Sequence, residues 1–383
     1  MRNRLIFTVL FSLLSIVAVA QEAPKHQFAE GLIARNNIFY TGLKEGVSCY
    51  RIPALVTAPN GDLIASIDER VPHCGDLIYS EDINIIVRRS GDGGKTWGDV
   101  EVAVDFEQGQ SASDPSFILD EESGEIFLFY NYMDLVNEPK VFYLHYVKSS
   151  DNGKSWSKPV DITSQIAKEE WHGDFKFITS GRGIYTSTGK MLHTLVNLKN
   201  GLHIFGSDDH GANWYLIDTA ITPADESKIV ELSDGRWMIN SRVNGGYGMR
   251  CIHISEDEGQ SWETHNDPML VDPSCNASIL NYSSVREGYD KNRLIFSNAS
   301  SAKGRENLTV RVSYDDGQTW PIEKVIYPGS TAYSDIVKLD NGDLALFFER
   351  DSHTANDVLI FSLEWLTDGK DKYKKPRRAK RRK

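Results

Sequence analysis

Five eight-residue stretches share the form Ser-x-Asp-x-Gly-x-(Ser/Thr/Asn)-Trp: Ser90–Trp97, Ser149–Trp156, Ser207–Trp214, Ser255–Trp262 and Ser313–Trp320. Their first residues lie 59, 58, 48 and 58 positions apart. A self-similar period near 50 residues marks architectures in which each repeat is one supersecondary unit that buries its apolar face only against its neighbours. The residue types read as a hairpin turn. Asp accepts from the amides that follow it, Gly supplies the positive φ that closes the turn, and Trp folds back to pack between strands.

Apolar or alternating runs precede the boxes, as in Ile83–Arg88, Phe142–Val147, Met249–Ile254 and Leu308–Val312, and these predict strands feeding a hairpin. Between the boxes lie further strand pairs with turns of their own, around Asn60-Gly61, Glu122-Ser-Gly124, Ser187-Thr-Gly189, Ser233-Asp-Gly235 and Asp340-Asn-Gly342. Four strands per ~55 residues is the content of a propeller blade. From about residue 40 to 369 the chain has room for six. The expected fold is therefore all-β: a six-bladed β-propeller of four-stranded antiparallel blades, one blade lacking the box. The segment Asp357–Trp365 is expected to close the ring by joining the blade that holds the N-terminal strands, and 161–170 is the best candidate for a short helix.

The ends of the chain read differently. Arg2 and Arg4, an apolar run over 5–17 and the small-residue site Ala18-Val19-Ala20 predict a signal peptide over 1–20, hence an exported mature chain with no membrane span. In an oxidising compartment Cys49, Cys74, Cys251 and Cys275 can pair in three ways or stay free, and their spacing matches no zinc pattern. Residues 370–383 carry ten Lys or Arg and one Asp, too charged to fold, and are expected to be a basic disordered tail or an anchor to anionic polymer rather than a nucleic-acid site. The body, 21–369, holds 30 basic against 53 acidic residues, so an anionic substrate must be captured by a local cationic cluster. A monomer is expected, with no segment left over for a separate carbohydrate-binding module.

A propeller gathers its site from inner strands, so functional residues should be scattered singly, about one blade apart. Arg51 in Tyr-Arg-Ile-Pro, Asp76 in Cys-Gly-Asp-Leu, Glu226 in Asp-Glu-Ser-Lys-Ile-Val-Glu-Leu, Arg242 in Asn-Ser-Arg, Arg305 in Gly-Arg-Glu-Asn and Tyr333 in Ala-Tyr-Ser-Asp stand out. In this order, with the boxes, these contexts resemble the exo-sialidase (neuraminidase) family from about Tyr40 to Trp365. The resemblance implies that Arg51, Arg242 and Arg305 bind a sugar carboxylate. It further implies that Tyr333 is the nucleophile, Glu226 its base and Asp76 the general acid/base, and that Arg70 and Asp114 line the sugar while Glu349 orients Arg51.

That assignment is chemically coherent. Three planar, permanently charged guanidiniums suit the carboxylate of sialic acid, and a neutral phenol, unlike a carboxylate nucleophile, does not repel it. The implied activity is exo-α-sialidase hydrolysis of sialylated glycans with retention, with no cofactor or metal. Transglycosylation on the same fold and a non-catalytic glycan-binding propeller are the alternatives. Glu231 is the alternative to Glu226, and Arg250 and Arg311 are rivals for the second and third arginine, although their alternation with apolar neighbours suggests outer strand faces. His193 and Trp171 either reach substrate or pack. Ser180-Gly-Arg-Gly-Ile departs from the Gly-Pro-Gly of many relatives.

Overall fold

The computed structural model describes residues 26–377. The signal-peptide expectation at 1–20 lies outside them. The chain is built almost wholly from antiparallel strands, with two four-residue helices, Thr163–Ile166 and Leu363–Leu366. The first falls inside the stretch expected to be helical. No helix among the described residues is long and apolar enough to cross a membrane.

The sheets follow one another around a common axis. Cys49–Thr57 leads the first sheet, Gln110–Leu119 the second, Ser227–Glu231 the fourth and Ser278–Ser283 the fifth. The expectation of six separate sheets needs correction, because five hydrogen-bonded sheets form. The cause is one long strand, Ile322–Lys338, whose first part pairs with Glu306–Ser313 and whose last part pairs with Leu344–Arg350. Two four-stranded ladders are thereby fused into one seven-stranded sheet. Ring closure is the pairing of Ala34–Tyr40 with Ala355–Phe361, so an N-terminal strand completes the last ladder.

Each box folds as its residues require. In the first, Ser90 Oγ donates to Asp92 Oδ1 (2.8 Å) and accepts from the Gly94 N–H (2.9 Å), while Asp92 accepts from the N–H and Oγ1 of Thr96 (2.9 and 2.6 Å). The same bonds recur about Asp151, Asp209, Asp257 and Asp315. The Trp rings then pack between successive ladders. Trp156 packs with Val56 and Ile64 of the first sheet and Phe117 of the second, and Trp320 with Val230 and Met238 of one ladder and Phe296 of the next. Among the described residues no box Trp packs at the junction of Ile336, Leu346 and Phe348, where the fifth box contributes Tyr314. Trp365 and Tyr373 cover that junction from beyond the last strand.

This packing corrects the reading of the chain after Lys370 as a free tail. Asp371 is buried and forms a bidentate ion pair with Arg293 (2.7 and 2.9 Å), and the Arg377 N–H donates to the Gly288 carbonyl at 2.9 Å. A buried arginine needs a carboxylate, and Asp371 is the one acidic residue in that run. Residues 378–383 lie outside the described range.

Candidate active site

The innermost strands all enter the axis from the same face, and three of them are irregular where they do so. The ladder register shifts between Arg51 and Ala54, between Ser113 and Ser116, and between Thr331 and Ser334. Ile52 and Asp114 sit at φ 68° and 63° in these bulges. A β-branched residue rarely takes that conformation, and a bulge re-aims the side chains around it. Here the bulges bring Arg51, Asp114 and Tyr333 into one pocket of about 300 Å³, with Asp76, Glu226, Arg242 and Arg305 also on its wall. These seven residues, dispersed over more than 250 positions, therefore share a single cavity.

At its floor, Tyr333 Oη donates to Glu226, at 2.6 Å from Oε1 and 2.7 Å from Oε2. Arg242 clamps the same carboxylate with one terminal nitrogen, which also lies 3.2 Å from Tyr333 Oη. Burial first, then the negative charge of Glu226, pushes the phenol well above its ordinary 10.0, with Arg242 and Arg305 opposing the shift. The resting tyrosine is neutral, and its proton already points at a base.

Arg51 and Arg305 flank the Tyr333 ring, with guanidinium carbons 5.8 and 5.4 Å from its centroid. Glu349, fully buried, accepts from Arg51 Nε (2.7 Å) and from the N–H groups of Ile52 (2.9 Å) and Tyr333 (3.1 Å). One carboxylate thus fixes an arginine and the backbone of the tyrosine together. Arg305 has a single bond, to the Ser274 carbonyl at 3.4 Å, and forms no ion pair among the described residues.

On the other side of the pocket, Arg70 is fully buried and bonds Asp68 (2.9 Å) and Asp76 (2.7 Å). Asp68 also receives Ser113 Oγ and the Asp114 N–H, which ties the second bulge to the first sheet. Asp114 is pushed up to about 8 by burial and by the charge of Asp68, so it is protonated near neutrality. Asp76 is 73% exposed at the pocket's edge. Its loop is held by the Cys49–Cys74 disulfide, while Cys251 and Cys275 are free and buried.

The rival residues lie elsewhere. Arg250 is buried rather than outward-facing. It bonds Asn240, Asp272 and the Cys275 carbonyl. Arg311 is likewise buried, on Glu323 and Asn298. The alternation of both with apolar neighbours reflects guanidiniums buried against partners, Arg250 on a buried Asp272 and Arg311 on an exposed Glu323, not side chains facing solvent. Glu231 pairs with Arg286 and accepts from Ser187. His193 packs against Phe205 and bonds Ser116, and Trp171 is buried in the core.

Sequence reasoning missed Asp225, 3.7 Å from Arg242, and Asn244, which accepts from Arg242 at 2.8 Å. It also missed an apolar wall of Phe142, Phe175, Phe177 and Leu198, three of them phenylalanines that flank or lie in short strands. Among the described residues no group of three or more His, Cys, Asp or Glu side chains is arranged to hold a metal ion.

Comparison with known proteins shows what the chain is similar to. A sialidase of Micromonospora viridifaciens is 35% identical over 95% of the chain and 60% of its own length. The chain spans about 60% of the length of the curated relatives it matches first. Among solved structures, the Hadza microbial sialidase Hz136 superposes with a TM-score of 0.77 at 27% identity, covering 86% of this chain and 69% of that one. The intramolecular trans-sialidase from Ruminococcus gnavus shares the fold at TM-score 0.76 and 20% identity, over 88% of this chain and 99% of that one. Residues 79–346 match the family described as BNR repeat-like domain. That match takes in more than half of the chain: the protein belongs to the BNR repeat-like domain family, and within it is similar to bacterial sialidases.

Proposed function

We propose that the protein is an exported exo-α-sialidase that hydrolyses terminal sialic acid from glycans with retention, through a covalent intermediate on Tyr333. The observation that carries this reading is the neutral Tyr333 phenol hydrogen-bonded to Glu226 at 2.6 Å beneath three arginines. A binding protein needs the arginines but not a phenol poised on a base.

In this reading Arg51, Arg242 and Arg305 hold the substrate carboxylate and so place the anomeric carbon over Tyr333 Oη. As the Tyr Oη–carbon bond forms, the phenol proton passes to Glu226 and the glycosidic carbon–oxygen bond breaks. The leaving oxygen takes a proton from Asp76. Donating it requires Asp76 to exchange its Arg70 contact for one with that oxygen, which its exposed position at the pocket's edge permits. Water then attacks the same carbon, Asp76 takes its proton, and Tyr333 leaves and recovers its own from Glu226. Two displacements at one centre return the original anomer.

A fluorogenic sialoside tests the reading. Wild type is expected to turn it over, Tyr333→Phe to lose at least about a thousandfold in kcat, and proton NMR to show the α-anomer of free sialic acid first. Equal turnover by the Phe variant contradicts the mechanism. An anhydro product in place of free sialic acid contradicts hydrolysis, and no turnover by either protein leaves a glycan-binding propeller.

A further inference from the structure

The innermost strands do not end at the catalytic pocket. They run on to the opposite face, and there a second cavity of about 440 Å³ opens on the axis. The two are not one channel. Between them Asp335, fully buried, accepts from the Leu55 N–H (2.9 Å) and Ser278 Oγ (2.8 Å). Beside it Lys228 donates to Asn276 Oδ1 (2.7 Å), whose amide donates to Ser180 Oγ (2.8 Å). This polar plug gives the far cavity its own floor.

Two cations on its wall make no close ion pair among the described residues, although the charges of Asp335 and Glu121 act on Arg182 and those of Glu287 and Glu121 on Lys338. Arg182 donates from one terminal nitrogen to the Ile336 carbonyl at 3.0 Å, and Lys338 donates to the Tyr282 carbonyl (2.8 Å) and Tyr289 Oη (3.0 Å). Neither forms an ion pair among the described residues. The arginines built into the frame behave otherwise, since Arg70, Arg250 and Arg293 each hold a carboxylate. Arg182 instead resembles Arg305, the unpaired guanidinium of the catalytic pocket. Partly buried cations whose hydrogen bonds go only to neutral acceptors keep donor capacity for an anion from outside.

The backbone around Arg182 is shaped to place it there. It sits in the Ser180-Gly-Arg-Gly-Ile segment, where Gly181 has φ 97° and a side chain at Gly183 would come within 2.5 Å of the Leu192 carbonyl. Both glycines are therefore demanded, and they lay Gly181–Arg182 parallel against Ser116–Phe117 at the axis.

The remaining wall indicates the rest of the ligand. Glu121 and Glu287 stand exposed at the mouth with no side-chain hydrogen bond or ion pair among the described residues, and Tyr185 and Tyr289 supply aromatic faces. Carboxylates at the rim accept from hydroxyls, and aromatic faces suit the C–H surface of a sugar ring. Cavities of ~300–1,000 Å³ are the usual size for small-molecule sites. We propose that this far cavity is a second ligand site for a hydroxylated carboxylate of monosaccharide size, its carboxylate between Arg182 and Lys338 and its hydroxyls toward Glu121 and Glu287.

The site does not depend on the catalytic reading, and the experiment keeps the two apart. D-glucuronate is titrated calorimetrically into full-length Arg305→Ala, in which the catalytic carboxylate pocket is weakened, with D-glucose as the neutral control. One glucuronate is expected to bind per chain, with glucose at least about tenfold weaker. Adding Arg182→Met or, separately, Lys338→Met is expected to weaken glucuronate by about tenfold with the melting temperature held within about 3 °C. Absence of glucuronate binding to Arg305→Ala, equal binding of glucose, or affinity unchanged in both second variants overturns the proposal. Should Arg182→Met not fold, Lys338→Met decides the matter.

Discussion

Glu349 joins the stability of the fold to the geometry of the pocket, and replacing it by Gln separates the two measurably. Burial pushes its carboxyl up, but the Arg51 guanidinium, His353 and the Ile52 N–H outweigh that and hold it at about 2 against an ordinary 4.5. A depressed carboxyl contributes stability that is present above the unfolded value and is lost as pH falls toward the folded one. The difference between those two values corresponds to about 3 kcal/mol at neutral pH, at ~1.36 kcal/mol per unit. Integrating the linkage, about 2 kcal/mol of this disappears between pH 7 and pH 3. Gln keeps the shape but not the charge. Urea unfolding at pH 7 is therefore expected to place Glu349→Gln about 3 kcal/mol below wild type, with the gap shrinking to about 1 kcal/mol at pH 3. At pH 7 the variant is also expected to raise KM for a sialoside more than it lowers kcat, because Arg51 loses its orienting partner. A stability gap that stays constant from pH 7 to pH 3 refutes the reasoning, since it assigns the effect to shape and not to charge.

Other outcomes follow from the same geometry. Ser90→Ala leaves the buried Gly94 N–H without its acceptor and is expected to cost about 1–3 kcal/mol in urea unfolding while leaving kcat/KM of the folded protein unchanged. Asp114, pushed up to about 8, is a buried carboxyl whose raised value destabilises the fold increasingly as pH climbs above 4. Asp114→Asn is expected to raise the melting temperature at pH 8 more than at pH 5, and an equal shift at both contradicts its protonation. Reducing the Cys49–Cys74 disulfide is expected to lower turnover of a sialoside with a poor leaving group more than one with a good leaving group, because the loop it holds carries Asp76. Equal losses on the two substrates would separate the loop from acid catalysis.

Much of the architecture was legible in the sequence because the boxes are local. Ser, Asp, Gly and the Ser, Thr or Asn before Trp bond to one another at fixed spacing, so each turn is specified within eight residues. Sheet continuity is a long-range property. Nothing in Ile322–Lys338 announces that one strand serves two ladders, and this is why five sheets appear where six were expected. The pocket residues were legible one at a time, through the contexts of Arg51, Glu226 and Tyr333, but the bulges that aim them were not. A positive φ at Ile52 or Asp114 is imposed by the surrounding ring and leaves no mark in residue type. Arg250 and Arg311 misled for a related reason: a buried, fully bonded guanidinium reads in sequence like an exposed one. The docking of Asp371 on Arg293 was hidden by the ten basic residues around it.

The central claim is that Tyr333 Oη, and no carboxylate, bonds to the anomeric carbon. A 2,3-difluorinated sialic acid carrying a good leaving group slows the second displacement and lets that bond accumulate, and peptide mass spectrometry of the quenched protein locates it. A single sialyl adduct is expected on the peptide containing Tyr333, absent from Tyr333→Phe and diminished in Glu226→Gln. An adduct on Glu226 or Asp76, or a protein that turns over sialosides yet carries no adduct under these conditions, would contradict it.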